Sequence, residues 1–358
     1  MKKYVRGHGY LLGYRRCPGQ QYAAGHRFTT RYNRGWQRLK SVGAFLLILI
    51  LLPYTVTVFF HGADREDRME DTVYVKVEGV QEGEDGKEKI ITEVPLEEYF
   101  LGVLALEAPQ ESEPELLKAQ AVLTRTKLWQ QMSSSEETVF TERYLNTEEL
   151  RKCWGREEYE KQYRSLDKAM RETEDQVLFY GESYAWAPFH KSSNGMTRNA
   201  QEVFGTEEYP YLTARECPLD KEAGEEIQVF SFPYREVQKK CRSFLVAVTE
   251  EEANKTYGFE DFEIVSVDTA GYVKEFRIGG TICSGDQFRD AMSLASSAFS
   301  IQDRDGCLQI TTEGVGHGLG MSQWTAQAMA EEGKGYEEIL QYFFEGTEIV
   351  TVRPGTLQ

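Results

Sequence analysis

The stretch "EVPLEEYFLGVLALEAP", Glu93 to Pro109, ends an apolar helical pattern on an acid. Leu96, Phe100, Val103 and Glu107 fall at spacings of four, three and four, so all four share one helical face. Pro95 suits the helix start, and Glu97 and Glu98 occupy the first turn, where the helix dipole favours acids. Glu107 sits instead near the negative end of the dipole, just before Ala108 and Pro109 stop the helix. A carboxyl shielded by Leu96, Phe100 and Val103 holds its proton more tightly than usual unless a cation offsets the effect. That is the property a general acid needs. Pairing with an arginine is the structural alternative, and Arg125 on the next helical stretch is the candidate partner.

Two further stretches carry reactive side chains. "FHKSSNGMT" (Phe189 to Thr197) holds His190, Ser192 and Ser193 in a short polar loop. A Ser–His nucleophile pair is one reading, and a turn whose hydroxyls satisfy the backbone is the other. An acyl hydrolase built there would need an orienting acid, and no motif supplies one. "EGVGHGLGMSQW" (Glu313 to Trp324) alternates Gly314, Gly316, Gly318 and Gly320, a spacing that suits positive φ or close backbone approach. It lacks the Lys-Ser/Thr of a nucleotide P-loop. His317 at its centre is a candidate catalyst, ligand contact or structural hydrogen-bonding group. Ser322 is no nucleophile elbow, since no glycine follows two residues later. Two histidines without short spacing are a weak metal signal, and the six cysteines form no CxxC, so no metal centre or disulfide framework is expected.

The elements that position these groups follow from patterning. "TVYVKVEGV" and "IITEV" alternate as strands around a turn at 82–89, and lead into the helix that ends at Glu107. Pro114 opens a second helix, with Leu117, Ala121 and Leu128 facing inward. Residues 133–175 are polar and charged and read as a surface insertion. "QVLFY" is a strand, Phe262 to Gly280 a hairpin turning near Ala270-Gly271, and Ser284 a helix cap. Helices follow at about Ser322 and over "YEEILQYFF". Mixed order without a strand–helix rhythm indicates an α+β fold.

Charge divides the chain. Its 358 residues carry −17, yet residues 1–40 hold ten Lys or Arg and no acid, which leaves −27 for the remainder. Between lies Val42 to Phe60, nineteen uncharged residues, about enough to cross a bilayer. No small-x-small cleavage site follows it. The expected organisation is a basic cytoplasmic tail (1–40), a transmembrane anchor (41–60), a linker (61–71) and an extracytoplasmic domain (72–358). An acidic exterior argues against nucleic acid as a partner.

In order, "VPLEEYFLGVLALEAP", "ELLKAQAVLTRTKLW", "FHKSSNGMTRNAQEVFGTEEYPYL", "CSGDQFRDAM" and "GVGHGLGMSQWTAQAMAEEGKGYEEILQYFFEGTEI" resemble the stage II sporulation protein D (SpoIID) family, from about Thr72 to Val350. The resemblance implies a membrane-anchored lytic transglycosylase acting in forespore engulfment, in the mother-cell membrane. Its substrate would be denuded peptidoglycan glycan strands, cut between N-acetylmuramic acid and N-acetylglucosamine to leave 1,6-anhydro ends. It implies Glu107 as catalytic acid, and Arg125, His190, Ser192, Ser193, His317, Ser322 and Gln323 as substrate contacts. It also implies a cell-wall amidase and a membrane scaffold protein of the engulfment machinery as partners, and no cofactor. Some members hold zinc through a cysteine shortly before the loop histidine. Ala185, Trp186, Ala187 and Pro188 stand there, so no metal is expected. Met196 and Thr325 depart from the usual glycines. The alternative the family offers is a non-catalytic glycan-binding or amidase-enhancing protein.

Overall fold

The computed structural model describes residues 72–353 except 84–85, 136, 225 and 247–254. The predicted tail, span and linker lie outside the described residues. Among the described residues no helix is long and apolar enough to cross a membrane.

The class is α+β, built from five small sheets and eight helices among the described residues. Strands β1 (Tyr74–Gly83) and β2 (Gly86–Pro95) pair antiparallel from Tyr74 opposite Pro95 to Gly83 opposite Gly86, so the paired strands run further than expected. Val75 and Val77 turn inward, as alternation requires. Helix α1 (Leu96–Glu107) follows directly, and Leu96, Tyr99, Phe100, Val103 and Leu104 pack on those valines. Gly102 admits a close approach: a Cβ there would lie 2.4 Å from the carbonyl oxygen of Leu145.

Helix α2 (Pro114–Ser133) is buried around most of its circumference, which marks it as the central helix. Leu117, Ala121 and Leu128 face the α1 core, as expected, while Leu116, Ala119, Val122 and Leu123 enter a second core. Next come β3 (Val139–Phe140), parallel to β1, and α3 (Thr147–Glu172). Asn146 and Glu149 close a capping box at the start of α3, and Gly155, at φ 72°, kinks it. The segment 133–175, expected as a surface insertion, is integral here: Leu150, Tyr159, Leu166 and Ala169 of α3 are buried. Its charge is carried on the outer face, and the four apolar residues are too widely spaced to stand out among it.

Strands β4 (Gln176–Tyr180) and β5 (Ser183–Tyr184) form one sheet, and β6 (Phe189–His190) begins the histidine loop. After short α4 (Ala200–Phe204), β7 (Ile227–Pro233) and α5 (Tyr234–Lys240) lead to β8 (Phe262–Val267), β9 (Val273–Ile278) and β10 (Thr281–Ser284). Ser284 caps α6 (Gly285–Met292) by accepting from the Gln287 amide at 3.0 Å. The antiparallel pair β11 (Phe299–Arg304) and β12 (Cys307–Glu313) joins β7, and the two sheets share a core with Phe276, Phe288, Leu308 and Ile310.

The glycine run leaves β12 and delivers the chain to β13 (Met321–Ser322), α7 (Gln323–Glu331), α8 (Tyr336–Phe343) and β14 (Glu348–Thr351), the last on the edge of β4. All four of its alternating glycines have positive φ. At Gly316 a Cβ would lie 2.6 Å from that of His190, and at Gly320 1.9 Å from the Pro188 carbonyl oxygen. Both expectations for the run hold, and their result is that β13 pairs in parallel with β6, Ser322 opposite His190.

Candidate active site

Glu107 is the last residue of α1, and its side chain is 13% exposed. Thr124 Oγ1 donates to its Oε2 at 2.5 Å, and the Lys127 ammonium bonds its Oε1. Lys127 also reaches Glu142 Oε1 at 2.9 Å, so one ammonium joins two carboxylates. Burial works against the Lys127 charge, but Glu107 and Glu142 more than offset it and hold the lysine above its usual pKa. Tyr99, whose hydroxyl donates to the Glu142 carbonyl at 3.2 Å, is also pushed up, by burial and then by Glu142 and Glu107. On the other side Gln323 Nε2 donates to the Glu107 carbonyl oxygen at 2.7 Å and to Gln120 Oε1 at 3.0 Å.

The alternative pairing of Glu107 with Arg125 is not formed. Arg125 lies on another face of α2, where it donates to Thr173 Oγ1 and to the carbonyls of Gln176 and Met170. Its guanidinium stacks 4.7 Å above the Phe100 ring. Burial lowers it to about 10, with Asp175 and Glu174 acting against the fall, and it remains a cation at neutral pH. Arg125 thus ties α2 to α3 and β4 and packs on Phe100 of α1, the helix that carries Glu107.

The β6–β13 side is organised by an acid that the motifs did not reveal. Asp220, fully buried, accepts from the Ser193 amide and hydroxyl at 2.6 Å each, from Ser322 Oγ at 2.9 Å and from Thr325 Oγ1 at 2.6 Å. Ser193 and Ser322 are therefore fully buried hydroxyls engaged with a carboxylate. Ser322 also caps α7 through the Thr325 amide. This places Gln323 in the first turn of α7, aimed at Glu107.

His190 and His317 come together, ring centroids 5.7 Å apart. His190 Nδ1–H donates to the Leu319 carbonyl at 3.1 Å, and His317 Nδ1 accepts from the Leu319 amide at 3.0 Å. Burial, with the other histidine's charge, lowers His190 to about 3. Burial and then Arg289 lower His317 to about 4. Both imidazoles are neutral at neutral pH. His190 Nε2 and Ser192 Oγ are buried without a partner. Among the described residues no acid orients His190, so the Ser–His acyl-hydrolase reading lacks its third member; Asp220 holds hydroxyls instead. Two imidazoles with no thiolate beside them do not fit the zinc site of some relatives, and among the described residues no group of three or more His, Cys, Asp or Glu is gathered for a metal. Cys217, Cys241 and Cys283 are buried thiols, pushed by burial to about 12, 12 and 11.

Thr124, Lys127 and Glu142 were missed by motif reading. A signal existed for the first two: Gln120, Thr124 and Lys127 lie at spacings of four and three, a polar stripe on an otherwise buried helix. Nothing local marks Glu142, which lies in the loop between β3 and α3.

The chain is similar to known proteins over this region. A stage II sporulation protein family model matches residues 84–180, which hold Glu107, Thr124, Arg125, Lys127 and Glu142. Stage II sporulation protein D of Bacillus subtilis (strain 168) is 32% identical over 271 residues, covering 72% of this chain and 75% of that protein. The protein of the same name from Bacillus amyloliquefaciens is 31% identical over 271 residues, with the same coverage. The amidase enhancer of Bacillus subtilis (strain 168) is 24% identical over 298 residues, covering 70% of this chain and 40% of that protein.

Proposed function

Because the chain belongs to the stage II sporulation protein D family, we propose that it is a peptidoglycan lytic transglycosylase with Glu107 as its acid and base. The observation that carries the reading is the ordered Glu107 carboxylate at the end of α1, aligned by Thr124 and Lys127 and anchored through its carbonyl by Gln323. A glycoside hydrolase needs a second carboxyl to attack or to activate water. A transglycosylase uses the sugar's own 6-hydroxyl, already tethered to the reacting ring, so proximity replaces the second acid. Protonated Glu107 gives its proton to the glycosidic oxygen as the C1–O bond breaks. The 6-hydroxyl oxygen then bonds C1, and its proton returns to Glu107.

The proposal includes the anchor at 41–60, an extracytoplasmic domain and a role in engulfment beside an amidase that strips stem peptides. It includes denuded strands, cleaved between N-acetylmuramic acid and N-acetylglucosamine, as substrate. Mass analysis of the products tests it: each new end should be a 1,6-anhydro end, lighter by one water than a hydrolytic end. Reducing ends would refute the transglycosylase reading.

A second reading, a non-catalytic glycan-binding or amidase-enhancing protein, is supported by the similarity to the amidase enhancer. It predicts stimulation of an amidase with no new glycan ends.

A further inference from the structure

Beyond Lys127 the site continues into a polar cavity. Lys127 bonds Glu107 on one side and Glu142 Oε1, at 2.9 Å, on the other, so a single ammonium separates the two carboxylates. Glu142 in turn lines a cavity of about 370 Å³ between the end of α2 and β3, with Gln131, Ser134, Glu137, Thr138 and Thr141. The fold fixes its walls. Strand β3 is paired with β1, Val139 opposite Lys76, and Phe140 is buried with its ring centroid 4.9 Å from that of Tyr99. Ser134 Oγ donates to the Gln131 carbonyl at 2.7 Å, and Thr138 Oγ1 donates to the same carbonyl at 3.1 Å.

The lining is rich in acceptors. The Ser134 and Thr138 hydroxyls commit their protons to a backbone carbonyl, so what they offer a ligand is lone pairs. The Glu137 and Glu142 carboxylates accept as well, and Glu142 Oε2 is buried without a partner. Gln131 adds an amide that both donates and accepts. Among the described residues no Lys or Arg lines the cavity. Such a surface suits an uncharged ligand bearing several O–H and N–H donors, one of which would satisfy the orphaned oxygen.

Resting on the transglycosylase reading, we propose that this cavity is a glycan subsite beside Glu107 that takes N-acetylglucosamine and rejects N-acetylmuramic acid. In a denuded strand each muramic acid carries a free lactyl carboxylate, whereas each N-acetylglucosamine is uncharged. The hydroxyls and acetamido N–H of N-acetylglucosamine meet the acceptors, and Gln131 donates to its acetyl carbonyl. A lactyl carboxylate would instead meet Glu137 and Glu142 with no cation of its own. Because the two sugars alternate, seating N-acetylglucosamine here brings muramic acid to Glu107. The cavity thereby sets the register in which a strand is cut.

The test uses the full chain carrying Glu107→Gln, so that no strand is cut, and reads amide hydrogen exchange over 131–142 by mass spectrometry. The probes are the uncharged N-acetylglucosamine tetramer and the two free sugars. The tetramer and free N-acetylglucosamine should slow exchange over 131–142, and N-acetylmuramic acid should need a concentration about fivefold higher or more to do so. Glu137→Gln should narrow that gap. Thr141→Leu, which puts an apolar side chain into the cavity, should weaken tetramer binding about fivefold or more with the thermal midpoint unchanged. No slowing over 131–142 by the tetramer, or equal slowing by the two sugars, would overturn the proposal. So would a Thr141→Leu variant that binds the tetramer as tightly as its parent. The failures separate: a wild type that leaves no anhydro ends while 131–142 is protected would refute the transglycosylase and keep the sugar site. Anhydro ends without that protection would remove the subsite and keep the enzyme.

Discussion

Gln323 donates a hydrogen bond of 2.7 Å to the backbone carbonyl of Glu107, joining residues 216 positions apart. The bond matters because Glu107 ends its helix, where the final carbonyls have no intrahelical partner. One side chain thereby satisfies the end of α1 and fixes the acid relative to the β6–β13 loops. The second acceptor, Gln120 Oε1, keeps the Gln323 amide from rotating.

Gln323→Ala should therefore act on rate more than on stability. The lost hydrogen bonds predict a destabilisation of about 1–3 kcal/mol. Turnover on denuded strands should fall further than that loss alone accounts for, because the acid is no longer registered against the opposite wall. Urea denaturation together with kcat measurement checks this. A variant with wild-type kcat would show that the link is purely structural.

Acid should weaken the fold through the two histidines. His190 at about 3 and His317 at about 4 remain neutral in the folded protein, whereas the unfolded chain takes up both protons near the usual value of about 6.5. The unfolded state thus binds more protons between those limits, and stability there rises with pH. The contribution is complete above the unfolded value and is lost as pH falls from about 6.5 toward 4 and then 3. Denaturation midpoints across that window should decline, and His190→Gln should flatten the decline. An unchanged slope would mean that other groups govern acid sensitivity.

Much of the skeleton of the site was legible because it is local. The Leu96–Glu107 stripe, the Pro114 helix and the alternating glycines each follow from spacing within one element. The partners of Glu107 were less so. Arg125 suggested itself by charge, but two positions further on Lys127 points to a different face of the same helix, and it is that face which meets Glu107. Glu142 and Asp220 lie in segments without periodicity, so only the folded arrangement of strands and loops brings them in. The segment 133–175 misled for a related reason, since α3 buries four apolar residues behind a charged surface.

Asp220 should be essential to the loops without touching the acid. Asp220→Ala would remove the acceptor for Ser193, Ser322 and Thr325 together, with an expected cost of about 3 kcal/mol or more. Asp220→Asn, of similar shape, should cost less but still leave one hydroxyl poorly placed. Thermal unfolding of both variants measures the difference. A near-silent Asp220→Ala would mean that the loops are held by the glycine backbone alone.

The proposed topology rests on charge. Ten cations and no acid precede the uncharged stretch, so the tail should remain cytoplasmic and the acidic bulk outside. Protease added to intact protoplasts should remove the C-terminal domain and spare the tail. Protection of that domain until the membrane is permeabilised would reverse the orientation.

The most direct prediction concerns the two ends of α1. Glu107→Gln preserves shape and a hydrogen-bond donor but removes the acidic proton and the later base. The variant should fold and bind glycan, and should lose turnover by about a hundredfold or more, the usual range for general acid–base catalysis. Glu98→Gln, in the first turn of the same helix, should turn over normally, since Glu98 makes no contact with Thr124, Lys127 or Gln323 among those described. Wild-type products should carry anhydro ends. Reducing ends would instead direct attention to Glu142, the one carboxylate that shares an ammonium with Glu107 among the described residues, as the second acid of a hydrolase. Substantial turnover by Glu107→Gln would move the acid elsewhere and leave Thr124 and Lys127 aligning a carboxylate for structure alone.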